Sequence, residues 1–322
     1  MTFEPKLRWG ILGCARISRR GLIPGIRSSQ RTVLHALASR ELSTAQAWAA
    51  EFSVPRAYGS YESILADPEI DAVYLPLPNE LHRQWVFAAA DAGKHILCEK
   101  PLALNASDAR AMVEYCQTRD VLLMEAFMWR HQPRTASLLR LVAEGAVGDL
   151  RLIRSSFSFP IEPNDWRLDS ARGGGALWDV GCYGVSTARL FAGAEPDSYG
   201  AAAHFNSSDV DLSLSACLRF PNGILGQIDC SFEQPFRCEY ELVGTTGVIT
   251  VPDAYLPPAR PTATLRSGES VKDLVFDGHN QYGEMVDAFA RSIEKKELSH
   301  PSEDGLQQMI ALDAILKAAR GE

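Results

Sequence analysis

Apolar and polar positions alternate between two textures along this chain. In the first part, short runs of continuous apolar residues at 7–12, 33–38, 72–75, 95–98 and 121–124 read as strands. Unbroken apolar character is the pattern of a strand covered on both faces. Between these runs lie stretches with helical patterning: toward Arg27, over 42–51, from near Tyr61, over 81–92 (stopped by Gly93), and from near Ala106. Residues 57–58 form one further short extended piece. Strands and helices in alternation predict a doubly wound parallel sheet with helices on both faces, an arrangement that binds nucleotides.

Beyond Met124 the strands come in series, at 151–158, 199–205, 212–220, 224–231, 240–243 and 247–251. Turn signals such as Pro221-Asn222-Gly223 and Gly244-Thr245-Thr246-Gly247 separate several of them. This predicts a mostly antiparallel, open-faced sheet in an α+β domain. Helices around 282–294 and 303–319 close the chain. The expected division is a Rossmann-type domain over 1–123 and a substrate-binding and oligomerisation domain over 124–322, with the last helix packing back on the first domain.

Length and composition agree with this division. A chain of 322 residues, 46% hydrophobic and 22% charged, is an ordinary globular protein of about two domains. Its net charge of −8 argues against sequence-independent nucleic-acid binding, which needs a basic face. No apolar run approaches the ~18 residues of a membrane span. The residues before the first strand lack a basic-then-apolar signal. Seven scattered cysteines without C-x-x-C spacing suit reduced thiols in the cytoplasm. Seven histidines show no ligand spacing, so no metal is expected.

Two segments carry the chemistry. Glu99-Lys100-Pro101 ends the strand at 95–98, and proline restricts the backbone of the lysine before it. Gly173-Gly174-Gly175 opens a helix in which Asp179 and Tyr183 stand four residues apart, on one face. Taken singly, these are a surface ion pair worth at most ~1 kcal/mol and a helix-start charge beside a half-buried aromatic. Taken together beside a nucleotide, lysine, aspartate and tyrosine are a set for moving protons. Cys182 reads either as a nucleophile or as packing behind the helix, and packing is expected because no base is placed for it.

The nucleotide signal is Gly13-x-Ala15-x-x-Ser18, a loosened G-x-G-x-x-G between the first strand and its helix. Ser39-Arg40 stands where an NAD-selective fold places a carboxylate for the ribose 2′-hydroxyl. A hydroxyl and a guanidinium suit a 2′-phosphate, so NADP is expected over NAD, unless Arg40 merely faces solvent.

With these residues assembled, the chain resembles the Gfo/Idh/MocA oxidoreductases over nearly its whole length. The shared motifs are residues 13–18, Asp71-Ala72-Val73-Tyr74-Leu75-Pro76-Leu77-Pro78-Asn79-Glu80-Leu81-His82, Glu99-Lys100-Pro101, Trp166-Arg167, residues 173–183 and Asn280-Gln281-Tyr282. Tyrosine at 183 is similar to the branch that holds glucose–fructose oxidoreductase, NADP-dependent D-xylose dehydrogenase and dimeric dihydrodiol dehydrogenase. Alanine at 15 departs from the common fingerprint, in a way this branch tolerates. The resemblance implies that Gly13, Cys14, Ala15, Arg16 and Ile17 form the dinucleotide turn, with Ser39 and Arg40 at the adenosine ribose. It implies that Pro76, Leu77, Pro78 and Asn79 line the nicotinamide side, with His82 and Glu99 in the same motifs. Lys100 would contact substrate and nicotinamide ribose; Trp166, Arg167 and Tyr282 would contact the cofactor.

The implied activity is hydride transfer between NADP and a hydroxyl-bearing carbon of a sugar or related cyclic polyol. A free tyrosine, with a pKa near ~10, is a poor base at neutral pH, and a nearby ammonium lowers that value. Tyr183 is therefore the expected acid/base, Lys100 its electrostatic partner and Asp179 the binder of a substrate hydroxyl. A reversed assignment, with the proton on Lys100, stays open. Rival readings are a keto-sugar reductase, a sugar–sugar oxidoreductase that retains its NADP, and a non-catalytic NADP-binding sugar sensor. The loops at 162–169 and 232–238 are expected to shape the pocket. Leu212, Leu214, Ala216, Leu218 and Phe220 should face the domain's own helices. Ser213, Ser215, Cys217 and Arg219 would then face outward, and the resemblance implies a homodimer or tetramer joined there.

Overall fold

In the computed structural model, which describes residues 6–322, six parallel strands form one sheet. They are β1 (Leu7–Leu12), β2 (Thr32–Ala38), β3 (Arg56–Tyr58), β4 (Ala72–Leu75), β5 (His95–Cys98) and β6 (Leu123–Glu125). Their order is β3-β2-β1-β4-β5-β6, and every adjacent pair is parallel. Helices α1 (Ile23–Ser28), α2 (Leu42–Glu51), α3 (Tyr61–Leu65), α4 (His82–Asp91) and α5 (Ala106–Thr118) make the crossovers. The apolar runs are buried as their continuity demands: Trp9, Ile11, Leu37, Val73, Tyr74, Ile96 and Leu97 have no accessible surface. Strand order reverses between β1 and β4, and a sheet of this kind binds ligands beyond the carboxyl ends at that point. The residues before Lys6, where no signal was expected, lie outside the described part.

The second sheet has eight strands: β7 (Leu150–Ser158), β8 (Ser198–Phe205), β9 (Asp211–Arg219), β10 (Leu225–Ser231), β11 (Arg237–Gly244), β12 (Gly247–Val251), β13 (Thr262–Ser267) and β14 (Ser270–Val275). Their order is β14-β13-β12-β11-β7-β10-β9-β8. Only β7 and β10 pair in parallel; the other neighbours are antiparallel. Three elements are additions to the expected set. β13 and β14 were missed because their alternation is largely polar and their exposure high. The third is α6 (Pro133–Ala143), tied down by Arg134, which is 1% exposed. Its guanidinium donates to the carbonyls of Pro252, Asp253, Ala254 and Thr262 at 2.7–3.2 Å, contacts that no local pattern announces.

Helix α7 (Cys182–Ala192) lies on this sheet and is buried except at Leu190. It sits so close that a Cβ on Gly184 would come 2.7 Å from Ile228 Cγ2 and 3.1 Å from Ser155 Oγ. Along β9, Leu214, Ala216 and Leu218 are buried, while Ser215, Cys217 and Arg219 are exposed. That is the expected alternation, with Leu212 half-buried at the strand's start.

The chain forms two compact units, one made of residues up to His131 with Asn280–Leu306, the other of Gln132–His279 with Gln307–Glu322. This differs from the expected boundary after residue 123. Helix α8 (Gln281–Lys295), not only the last helix, belongs with the parallel sheet. Its apolar stripe explains this: Met285, Val286 and Phe289 are fully buried, and Phe289 packs against Trp9 of β1 with ring centroids 5.6 Å apart. Helix α9 (Ser302–Arg320) begins in the first unit and continues in the second.

Candidate functional site

In the first unit the expected nucleotide residues gather at the carboxyl ends of the strands. β1 runs into Gly13, whose φ of +115° lies in the region that favours glycine. Its N–H donates to Ala38 O of β2 at 2.9 Å. A Cβ here would press on Leu77 Cδ2 at 3.2 Å, so the turn stays clear for a phosphate only because residue 13 has none. Cys14, Ala15 and Ile17 are partly buried and Arg16 is exposed. Burial pushes the Cys14 thiol up to about 11, so it stays protonated. The following helical segment is π-wound over Ser18–Leu22 and α-helical thereafter.

At the end of β2, Ser39 donates its N–H to Tyr58 O at 3.1 Å and its hydroxyl accepts from Glu41 N at 3.3 Å. Arg40 is exposed and makes no ion pair among the described residues. A clear glycine turn and a guanidinium at this strand end fit a dinucleotide with a 2′-phosphate.

The lysine turn is held from several sides. Tyr74 donates its hydroxyl to Glu99, and Lys100 N donates to the same carboxylate at 3.3 Å. Glu125 accepts from Leu102 N at 2.8 Å. His82, expected among the cofactor contacts, has no accessible surface. Its Nε2 lies 2.9 Å from Leu77 O and its Nδ1 lies 3.1 Å from both Pro101 O and Leu102 O. His82 therefore braces the stretch after β4 to the turn after β5. Burial pulls its pKa down against the three carbonyls that favour a proton. Pro76, Leu77 and Asn79 are buried and Pro78 is half-buried where the chain leaves β4. Tyr282, in the first turn of α8, packs against the first helical segment: a Cβ on Gly21 would come 2.5 Å from its ring.

In the second unit, Trp166 and Arg167 form a short 3₁₀ turn capped by Asp165, which accepts Arg167 N at 3.0 Å. The Arg167 guanidinium lies over the Trp166 ring at 4.9 Å and pairs with Asp165 at 3.1 Å. Its Nε is 3.0 Å from Asp179 Oδ2, an ion pair without good hydrogen-bond alignment. Burial works against the Arg167 charge, but Asp179 and Asp165 outweigh it and hold the pKa above its usual value. Asp179 thus meets a cation of its own unit, which the sequence did not foretell.

The helix bearing Asp179 and Tyr183 begins with a π-wound turn, Leu177–Gly181, and continues as α7. A π turn inside a helix is uncommon and is frequently found at functional sites. Tyr183 is 6% exposed and packs on Phe157 and Tyr255, with centroids 5.5 and 4.8 Å away. Cys182 is fully buried with its thiol 3.6 Å from Asp179 O, the packing role of the two considered.

Asp211 was not anticipated. It is 3% exposed, at the start of β9, and accepts Leu177 N at 2.6 Å, so it clamps the first turn of this helix. Its Oδ1 takes the space of the missing Gly175 side chain, 2.2 Å from where a Cβ would be. Glycine at 175, where φ is +126°, is the only trace of this clamp in the sequence.

A doubly wound nucleotide-binding unit with a second, sheet-based unit defines the class. Residues 7–127 match the oxidoreductase family with an NAD-binding Rossmann fold, and residues 135–250 match the GFO/IDH/MocA C-terminal domain. The chain belongs to the GFO/IDH/MocA family of oxidoreductases. It is 39% identical to D-xylose 1-dehydrogenase (NADP(+)) 2 of Haloferax volcanii over 97% of each chain. The solved structure of a 3-ketoreductase from Actinomadura kijaniata, in complex with NADP and TDP-benzene, is similar with a TM-score of 0.91 at 32% identity, covering 98% of both chains. Aldose-aldose oxidoreductase from Caulobacter crescentus, complexed with glycerol, superposes with a TM-score of 0.93 at 28% identity, also over 98% of both chains.

Proposed function

We propose that this protein is an NADP-dependent oxidoreductase acting on a hydroxyl-bearing carbon of a sugar or related cyclic polyol. The observation that carries the reading is Arg40, exposed and without an ion pair at the end of β2, beside the open turn at Gly13. Similarity along 97% of a D-xylose 1-dehydrogenase supports an aldose as substrate. The dinucleotide, when bound, supplies or accepts the hydride.

The chain's own residues do the rest. The Gly13 turn and Arg40 hold phosphates, with Trp166, Arg167 and Tyr282 as further cofactor contacts. Tyr183 carries the proton exchanged with the substrate oxygen, and the Lys100 ammonium favours its phenolate. Asp179, paired with Arg167, accepts a hydrogen bond from a substrate hydroxyl. The alternative, with the proton on Lys100, predicts that Tyr183→Phe stays active.

A panel of aldoses and cyclic diols with NADP, followed by reduced-nicotinamide absorbance, tests the reading. A protein that binds NADP and oxidises none of them is the sensor. Nucleotide that survives gel filtration and hardly exchanges marks a sugar–sugar oxidoreductase. Similarity to the ketoreductase favours a second reading, reduction of a keto-sugar, which NADPH oxidation with keto-sugars would reveal.

Pairing of chains through the open face of the second sheet belongs to the same proposal. Ser215, Cys217, Arg219 and Gln227 are exposed there and short or polar, and Leu225 adds an apolar contact at 50% exposure. Sedimentation at micromolar concentration should give at least twice the chain mass; a 35.3 kDa species would overturn it. A cytoplasmic setting rests on the seven scattered cysteines, none in C-x-x-C spacing.

A further inference from the structure

The floor of the nucleotide crevice contains a phenol that neither motif nor spacing marks. Tyr61 is the first residue of α3, and the side chain of Ser60 caps that helix. Its ring packs edge-on against Trp85, with centroids 4.8 Å apart, and 8% of the residue is accessible. Its hydroxyl faces the turn after β1: Oη lies 3.4 Å from the point a Cβ on Gly13 would occupy. Among the described residues this hydroxyl has no hydrogen-bond partner. The ring is buried while Oη itself stays open to the crevice, where an acceptor on a ligand would take the place of water. Burial pushes the Tyr61 pKa up, against the pull of Arg40, so the phenol keeps the proton it would donate.

We infer that Tyr61 is a ligand of the adenosine half of the dinucleotide, donating its hydroxyl to a phosphate oxygen held over the Gly13 turn. The inference rests on the NADP reading above and adds a residue to it. Arg40 and Cys14, which flank the same crevice, both act electrostatically on Tyr61. An aromatic donor wedged edge-on against Trp85 is rigid, so little freedom is lost when it binds.

Calorimetric titration of 2′-phospho-ADP-ribose and of ADP-ribose, neither of which carries nicotinamide, tests this on the ligand-free protein. Tyr61→Phe should weaken the first by about tenfold, the loss of one hydrogen bond to a charged acceptor. Loss confined to that ligand assigns the 2′-phosphate, and equal loss for both assigns the pyrophosphate. A change below about twofold in both would overturn the inference. So would a loss seen only with intact NADPH. Phenylalanine keeps the ring against Trp85, so the unliganded variant should melt with the wild type and any affinity change reads the hydroxyl. Wild-type protein that binds neither nucleotide would break the NADP reading itself, an outcome separable from an unchanged variant.

Discussion

In the first unit, the residues assigned to the nucleotide are held chiefly by main chain. Gly13 bonds Ala38, Ser39 bonds Tyr58, and the lysine turn hangs on carbonyls gripped by His82. In the second unit, the assigned residues are held by side chains distant in sequence. Asp179 meets Arg167, Tyr183 leans on Phe157 and Tyr255, and Asp211 ties down Leu177. A site built on strand ends inherits its geometry from the sheet. One built on side-chain contacts depends on each partner separately, and that is where substrate preference can change without disturbing the fold.

The largest expected effect sets chemistry apart from scaffold. Lys100→Met and Tyr183→Phe should each lower kcat by ~10²–10⁴-fold while NADP still binds. A loss below about tenfold in either, measured against nucleotide affinity by fluorescence, would remove that residue from the proton path. Next, Arg40→Asp should weaken NADP by roughly 10- to 150-fold and favour NAD, because a carboxylate repels the 2′-phosphate and accepts from a free ribose hydroxyl. Paired titrations with both nucleotides decide it, and unchanged NADP affinity would mean that Arg40 serves only the surface.

A smaller effect concerns stability alone. Burial pushes the Asp211 carboxyl up to about 7 from 3.8, despite the N–H groups it accepts. The folded state therefore holds a proton that the unfolded chain releases between about pH 4 and about pH 7. This residue's contribution is fully present below the lower value and is lost as pH rises through the upper one. Asp211→Asn cannot titrate, so its urea midpoint should fall less than that of the wild type between about pH 5 and about pH 7. Parallel pH dependences would show that the carboxyl ionises as it does in water.

The same contrast explains what could be read in advance. Alternation of apolar runs with helices announced the parallel sheet, because each strand there is buried on both faces. Gly13, Arg40 and the Glu99-Lys100-Pro101 turn were legible because strand ends and glycine turns are local features. Asp211, Tyr61 and the Arg167–Asp179 pair were not, since each depends on tertiary contact with residues 34, 48 or 12 positions away. β13 and β14 escaped because polar, exposed strands carry little apolar period. His82 is a different case: it sits in a recognised motif, and buried carbonyls claim both its nitrogens, a bracing role that the motif alone does not announce.

The discontinuity of the first unit has a consequence for synthesis on the ribosome. Phe289 against Trp9, Tyr282 over Gly21 and the Arg31–Glu294 pair at 3.0 Å all join the chain's beginning to residues beyond 280. The parallel sheet emerges early, yet one of its covering helices is translated only after the whole second sheet. At ~5–20 residues per second the sheet waits on the order of ten seconds for α8, with Trp9 still lacking its aromatic neighbour. Vectorial folding therefore begins at the nucleotide-binding end but cannot finish there first. A nascent chain stalled before residue 280 should be open to protease on the side that α8 later covers.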